Sequence, residues 1–174
     1  MASSPFPLPP PEVEARLRAR FGDDVLAFED QFGHAVVAIA PARYHELVTF
    51  CRDEPELACN YCEFTTAVDR GDEGIEIVTH LHSTSLDHDV RIKVPLPAED
   101  PEIATISDLY ATANWHERET AEMFGVRFAG HPLQVKLLLP EPFEGHPLRK
   151  DFPLMSREAK PWPGAVEGEE EDEE

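Results

Sequence analysis

The sequence predicts an α+β domain: an antiparallel β-meander sheet with helices packed on one face, plus an extended C-terminal arm. Three observations predict it. Val90, Ile92 and Val94 alternate with Arg91 and Lys93, the period of a half-buried strand, and Cys62, Phe64, Thr66 and Val68 alternate likewise. Tyr44, Leu47, Val48 and Cys51 recur instead at helical spacing. Beyond Gly125 neither period persists, and glycines and prolines punctuate the chain.

The elements follow in order. Residues 1–11 are rich in proline and are expected to be extended or disordered, having little to bury. Val13, Leu17, Arg20 and Phe21 share a helical face that Gly22 ends. Residues 25–28 and 35–39 read as strands joined by a hairpin at Asp30-Gln31-Phe32-Gly33. Pro41 opens the second helix. After Pro55 come the strand around Cys62 to Val68, a turn at Asp69-Arg70-Gly71-Asp72-Glu73-Gly74, a strand over 75–81 and the strand of Val90 to Val94, ended by Pro95 and Pro97. Asn114 is placed to cap a third helix, with Glu117 completing a capping box and Gly125 supplying a left-handed stop. The expected organisation is one α+β domain over 12–125, an extended arm over 126–160 and a disordered acidic tail over 161–174.

Composition narrows the function. A net charge of -20 disfavours nucleic acid and anionic membrane surfaces, which would repel the chain. Seven of the last eight residues are acidic, and without them the remainder still carries -13. No apolar run approaches the ~20 residues that cross a bilayer. The N-terminus lacks the basic region and apolar core of a signal peptide. Three cysteines, an odd number, make no disulfide framework, which suits a reducing compartment.

The residues that could carry chemistry fall into three groups. Glu117, Glu119 and Glu122 suggest paired carboxylates, but two residues along a helix Glu117 and Glu119 diverge by about 160° and do not face one space. A cap with ion pairs through Arg118, or a helix whose charges meet a partner subunit, fits better, with Trp115 and Phe124 as aromatic anchors. His80 and His82 share a strand face, with His88, Asp87 and Asp89 nearby, but no convincing fourth zinc ligand is evident. Cys59 and Cys62 form one C-x-x-C pair, with Cys51 upstream, running into a strand rather than opening a helix. No phosphate-binding or nucleophile-elbow motif occurs. The basic, proline-bounded run Gly145-His146-Pro147-Leu148-Arg149-Lys150-Asp151-Phe152-Pro153 is suited to docking, since Pro147 and Pro153 stiffen it and reduce the entropy lost on binding.

Asn114-Trp115-His116-Glu117-Arg118-Glu119, Met123-Phe124-Gly125, Gly130-His131-Pro132 and the run from Gly145 to Pro153 together resemble the signature of the 30 kDa-type (C) subunit of bacterial NADH-quinone oxidoreductase, respiratory complex I. The resemblance spans residues 12–155. It departs mildly at Val135-Lys136, where the family usually carries two basic residues, at Glu122, where aspartate is common, and at Ala121, where an aromatic often sits.

The resemblance implies an accessory subunit in the peripheral arm of complex I, on the cytoplasmic side of the inner membrane and attached to it only through the complex. It implies no cofactor in this chain, with NADH, FMN, iron-sulfur clusters and quinone held by the rest of the complex. The implied partners are the quinone-site (D) subunit and the iron-sulfur (B) subunit. Trp115, Glu117, Arg118, Glu119, Phe124, His131, His146, Leu148, Arg149, Lys150, Asp151 and Phe152 are then expected to form the partner interface or to position the arm. A related subunit of a membrane-bound hydrogenase, or of a ferredoxin- or deazaflavin-fed oxidoreductase, is the nearest alternative. A free-standing metal or thiol-redox protein using Cys59, Cys62, His80 and His82 is the alternative of a different class.

Overall fold

The computed structural model describes residues 7–153. The N-terminal start and the acidic tail, for which the sequence predicts disorder, fall wholly or partly outside those residues. Three α-helices occur among them: α1 (Pro10–Phe21), α2 (Tyr44–Asp53) and α3 (Ala113–Phe124). The strands are β1 (Val25–Gln31), β2 (His34–Ile39), β3 (Tyr61–Asp69), β4 (Ile75–Ser83), β5 (His88–Leu96), β6 (Glu102–Ala104) and β7 (Arg127–Ala129).

The class is α+β, and five strands form one mostly antiparallel sheet in the order β1-β2-β5-β4-β3. The connection is not the simple meander expected. β3, β4 and β5 run as a meander, but β5 returns to pair in parallel with β2, from Ala35 opposite Val90 to Ala38 opposite Lys93. The reason lies in burial. β2 carries Ala35, Val36 and Val37 in sequence, all buried, as a central strand enclosed by neighbours requires. The edge place falls to β1, where Leu26 is exposed.

Alternation then divides the sheet into two faces. Ile75, Ile77, Leu81, Val90, Ile92 and Val94 point to one side and join Val13, Leu17, Leu47, Val48 and Cys51 of the helices in a single core. Each fully buried aliphatic side chain there contributes about 1.5–3 kcal/mol. Three hydroxyls that enter this core are paired with one another: Tyr44 meets Thr79 at 2.7 Å, and Thr79 meets Thr65 at 3.2 Å.

Two short strands absent from the sequence prediction place α3. β6 and β7 pair in parallel, Glu102 opposite Arg127 and Ala104 opposite Ala129, and α3 is the crossover between them. Residues 127–129, expected in the arm, therefore belong to the folded body. The expected capping box is also absent. α3 begins at Ala113 after Thr112, with no side-chain cap, and Glu117 is fully buried elsewhere.

Gly74 closes the β3–β4 turn with φ +100°, and a Cβ there would lie 2.1 Å from the Leu96 carbonyl oxygen. Gly74→Ala should therefore lower stability by more than ~2 kcal/mol. The shift of the urea midpoint measures this, and an unchanged midpoint would show that the turn yields freely.

Candidate docking site

The arm beyond Ala129 contains neither helix nor strand through residue 153. Its main-chain donors need acceptors outside regular structure, and α3 supplies them. Glu122 accepts the N–H groups of Leu137 (3.0 Å), Leu138 (2.8 Å) and Leu139 (2.6 Å). Burial pushes this carboxyl up, but the three N–H donors outweigh it and hold the group below its ordinary range. One turn earlier on the same face, Arg118 donates to the carbonyls of Val135 (3.1 Å) and Lys136 (3.2 Å). Its guanidinium also lies over the Trp115 ring, 5.4 Å from the centroid. Arg118 thus serves the arm rather than an ion pair with a neighbouring glutamate.

The arm returns to the C-terminal end of α3. Gly125 ends the helix at φ +76°, and a Cβ there would meet the His146 ring at 2.7 Å. That close approach lets His146 Nδ1–H donate to the Glu122 carbonyl (2.8 Å) and Leu148 N–H to the Met123 carbonyl (3.1 Å). Two carbonyls that the helix end leaves free are satisfied this way.

Further on, consecutive turns close by Arg149 N–H to the His146 carbonyl and Phe152 N–H to the Arg149 carbonyl, each 3.1 Å. Phe152 stacks on Phe143, with centroids 5.9 Å apart. Arg149 donates to the Ala98 carbonyl (2.5 Å), and Lys150 N–H to the carboxylate of Asp69 (2.7 Å). The expectation of an extended arm is corrected here. Anchors spaced along α3 and the body wind it back on the domain.

Glu117 behaves differently. Its side chain is fully buried, accepting Ile106 N–H (2.7 Å) and meeting the Thr105 hydroxyl at 2.5 Å. Burial pushes its carboxyl up to about 7 against those two bonds. Thr105 also meets the Ser107 hydroxyl at 2.7 Å, so a turn of the two hydroxyls accommodates either the neutral or the ionised carboxyl. His131 stands 3.8 Å away, its side chain fully buried. Its Nδ1 accepts Leu133 N–H (3.1 Å), which leaves Nε2–H to donate to the Asn114 carbonyl (3.2 Å). Bonded in this way, the ring fixes the start of the arm.

The predicted site residues thus separate into two sets. Glu117, His131 and Phe124 are buried, while Arg118 and His146 tie the arm to α3. Trp115, Glu119, Leu148, Lys150 and Asp151 face solvent, and Leu133, Val135 and Leu138 are exposed too. Between α3 and the arm lies a cleft of about 250 Å³ lined by Arg118, Ala121, Gln134, Leu139 and Phe143. Sequence reasoning missed Asp69 and the anchoring role of Glu122. Asp69 had no signal beyond its place in a turn, because its arm partner is 81 residues distant.

The residues of the metal or thiol alternative do not converge. His80 and His82 lie on the open sheet face, 3.4 and 2.7 Å from Asp89, where His34 joins them at 3.0 Å. His88 and Cys62 are buried on the opposite face, and among the described residues no three such side chains are arranged to hold a metal ion. Burial pushes the thiols of Cys59 and Cys62 up to about 12 and about 11, away from thiolate chemistry.

Body and arm together define a class, an α+β domain with an irregular arm folded back on its third helix. Residues 37–158 match the family model of the respiratory-chain NADH dehydrogenase 30 kDa subunit. The NADH-quinone oxidoreductase C subunit of Roseiflexus castenholzii is 39% identical over 85% of this chain and 86% of its own. A Rhizobium etli relative, C-type subunit number 2 of the same oxidoreductase, is 38% identical over 88% and 83%. The C/D subunit of Serratia proteamaculans is 33% identical over 86% of this chain but only 27% of that longer protein.

Two solved structures resemble the fold. The trypsin-resistant fragment (1-134) of Nqo5 superposes with a TM-score of 0.60 at 25% identity, over 71% of this chain and 97% of that one. A chain of an archaeal membrane-bound sulfane sulfur reductase does so with a TM-score of 0.72 at 22% identity, over 83% and 86%. The chain belongs to the 30 kDa subunit family of respiratory complex I. Membership makes it a subunit of an NADH-quinone oxidoreductase.

Glu117 gives a pH prediction. Its folded pKa lies above the unfolded value of 4.5, so the folded chain holds the extra proton between pH 4.5 and about 7. Its contribution to stability is fully present below pH 4.5 and is lost as pH rises through about 7, a change on the order of 3 kcal/mol. Glu117→Gln should remove this slope and raise stability at pH 8, as read from urea unfolding at several pH values. An unaltered slope in the variant would assign the proton to another group.

Proposed function

We propose that this chain is a structural subunit without a cofactor of its own, positioning the quinone-site (D) and iron-sulfur (B) subunits in the peripheral arm of complex I. One observation carries the reading. The arm is held against α3 by its own polar groups, yet Trp115, Leu133, Val135, Leu138 and Leu148 remain between 49% and 60% exposed. Exposed apolar side chains along an anchored segment are suited to burial against a partner. Leu148, Lys150 and Asp151 then belong to that surface, whereas Glu117, Arg118, His131 and His146 act on it by positioning the arm.

The quinone-site subunit is favoured as a partner because some relatives are named as a single C/D protein. The iron-sulfur subunit and the cytoplasmic side of the inner membrane follow from the family resemblance. No helix among the described residues is long and apolar enough to cross a membrane, which suits attachment through the complex. The likeness to the sulfane sulfur reductase keeps a second reading open, the equivalent subunit of a related membrane-bound machine.

The test is to tag the full chain at its N-terminus, extract membranes in mild detergent and identify what co-purifies. The quinone-site and iron-sulfur subunits should be recovered with NADH-quinone activity. The pair Leu138→Ser and Leu148→Ser should lower that recovery about tenfold, the equivalent of ~1.4 kcal/mol, while leaving the chain folded. Recovery of hydrogenase subunits would favour the second reading, and undiminished recovery with the pair would remove the docking role from this surface.

A further inference from the structure

We propose that Asp69 is a positioning residue for the arm: by holding the backbone N–H of Lys150 it sets the register in which Arg149, Lys150 and Asp151 meet a partner. The inference rests on the docking role proposed above.

An aspartate at the end of a strand often bonds only within its own turn. Asp69 does this with one oxygen, which accepts Gly71 N–H at 2.7 Å. Its other oxygen accepts Lys150 N–H, also at 2.7 Å, across 81 residues of sequence. A turn alone has no use for that second bond.

The two sides of the contact differ in rigidity. Asp69 is the last residue of β3 and pairs with Ile75 of β4. Its turn is closed by Arg70 N–H to the Gly74 carbonyl (2.8 Å) and Gly74 N–H to the Gly71 carbonyl (3.0 Å). The acceptor is therefore mounted on the sheet, the more precise part of a scaffold. On the arm, Lys150 occupies the second position of the turn from Arg149 to Phe152. Among the described residues, its N–H makes the one main-chain bond between residues 149–153 and the body.

The surroundings agree. The guanidinium of Arg149 reaches the Ala98 carbonyl, so the arm's tip is pinned on both sides of a cleft of about 350 Å³. The N–H groups of Lys150 and Gly71 hold the Asp69 carboxyl below the usual carboxylate range. With its backbone fixed in this way, Lys150 keeps an exposed side chain, as does Asp151.

The experiment uses the full-length chain with three variants and their combination. Asp69→Asn leaves one carbonyl oxygen and turns N–H groups toward the second donor. Lys150→Pro removes the donor itself at a turn position that proline accepts. Asp72→Asn takes the same charge from the same turn without touching the bond. Two readouts are taken: hydrogen exchange of the Lys150 amide by NMR, and recovery of the neighbouring subunit from membranes.

Asp69→Asn should speed Lys150 exchange roughly tenfold and lower recovery severalfold. Lys150→Pro, which also takes the Lys150 side chain from the docking surface, should lower recovery at least as far, and the double variant no further than Lys150→Pro alone, because the bond is already gone. Asp72→Asn should change neither readout. Unaltered exchange or recovery in Asp69→Asn, or additive losses in the double variant, would overturn the assignment. If the Leu138→Ser and Leu148→Ser pair lowers recovery and Asp69→Asn does not, Asp69 alone loses its role. If neither lowers it, the docking reading fails with it.

Discussion

An irregular segment pressed against a protein surface brings main-chain N–H groups that neither a helix nor a sheet will pair, and leaving them unpaired costs about 1–3 kcal/mol each. In this chain carboxylates meet that demand. Glu122 takes three N–H groups of the arm, Asp69 takes one more, and Glu117 takes that of Ile106 in the segment leading to α3. Arg118 performs the converse task for two carbonyls. The path of the arm depends on these bonds, and so does the exposure of the leucines along it.

This arrangement gives the densest motif of the sequence a double character. Glu117, Arg118 and Glu122 look alike in a string of charges, but they do different work. Glu117 points into the interior, where desolvation favours its neutral form. Glu122, also little exposed, is favoured as the anion because its oxygens are surrounded by donors. Two glutamates five residues apart on one helix are thus driven to opposite protonation behaviour by what faces them. Trp115, on the outer side, keeps its ring available under the guanidinium of Arg118.

Elements governed by local pattern were legible in the sequence. The alternation of Val90, Ile92 and Val94 gives β5, the helical spacing of Tyr44 to Cys51 gives α2, and Gly125 marks the end of α3. The parallel pairing of β2 with β5 was not legible, because period-two patterns say which face is buried and not which strand lies alongside. β6 and β7 escaped notice for a simpler reason: three residues are too few to show a period. Within the site, the motif marked the helix against which the arm folds. It misassigned Glu117 as a cap, since burial of an acid at that position depends on Thr105 and Ile106, which come from outside the helix.

The place of β5 between β2 and β4 also has a consequence for synthesis. Ala35 pairs with Val90, so the ribosome must add some 55 residues before β2 gains its second neighbour. At ~5–20 residues per second this interval is roughly 3–11 s, longer than a hairpin needs to form by several orders of magnitude. Throughout it the β1–β2 hairpin presents the bare side of its most apolar strand, Ala35-Val36-Val37-Ala38-Ile39, to whatever is nearby. Such an edge is a template for another nascent copy or a natural client of a chaperone. The same feature that locks the mature sheet together makes the half-made chain the vulnerable one.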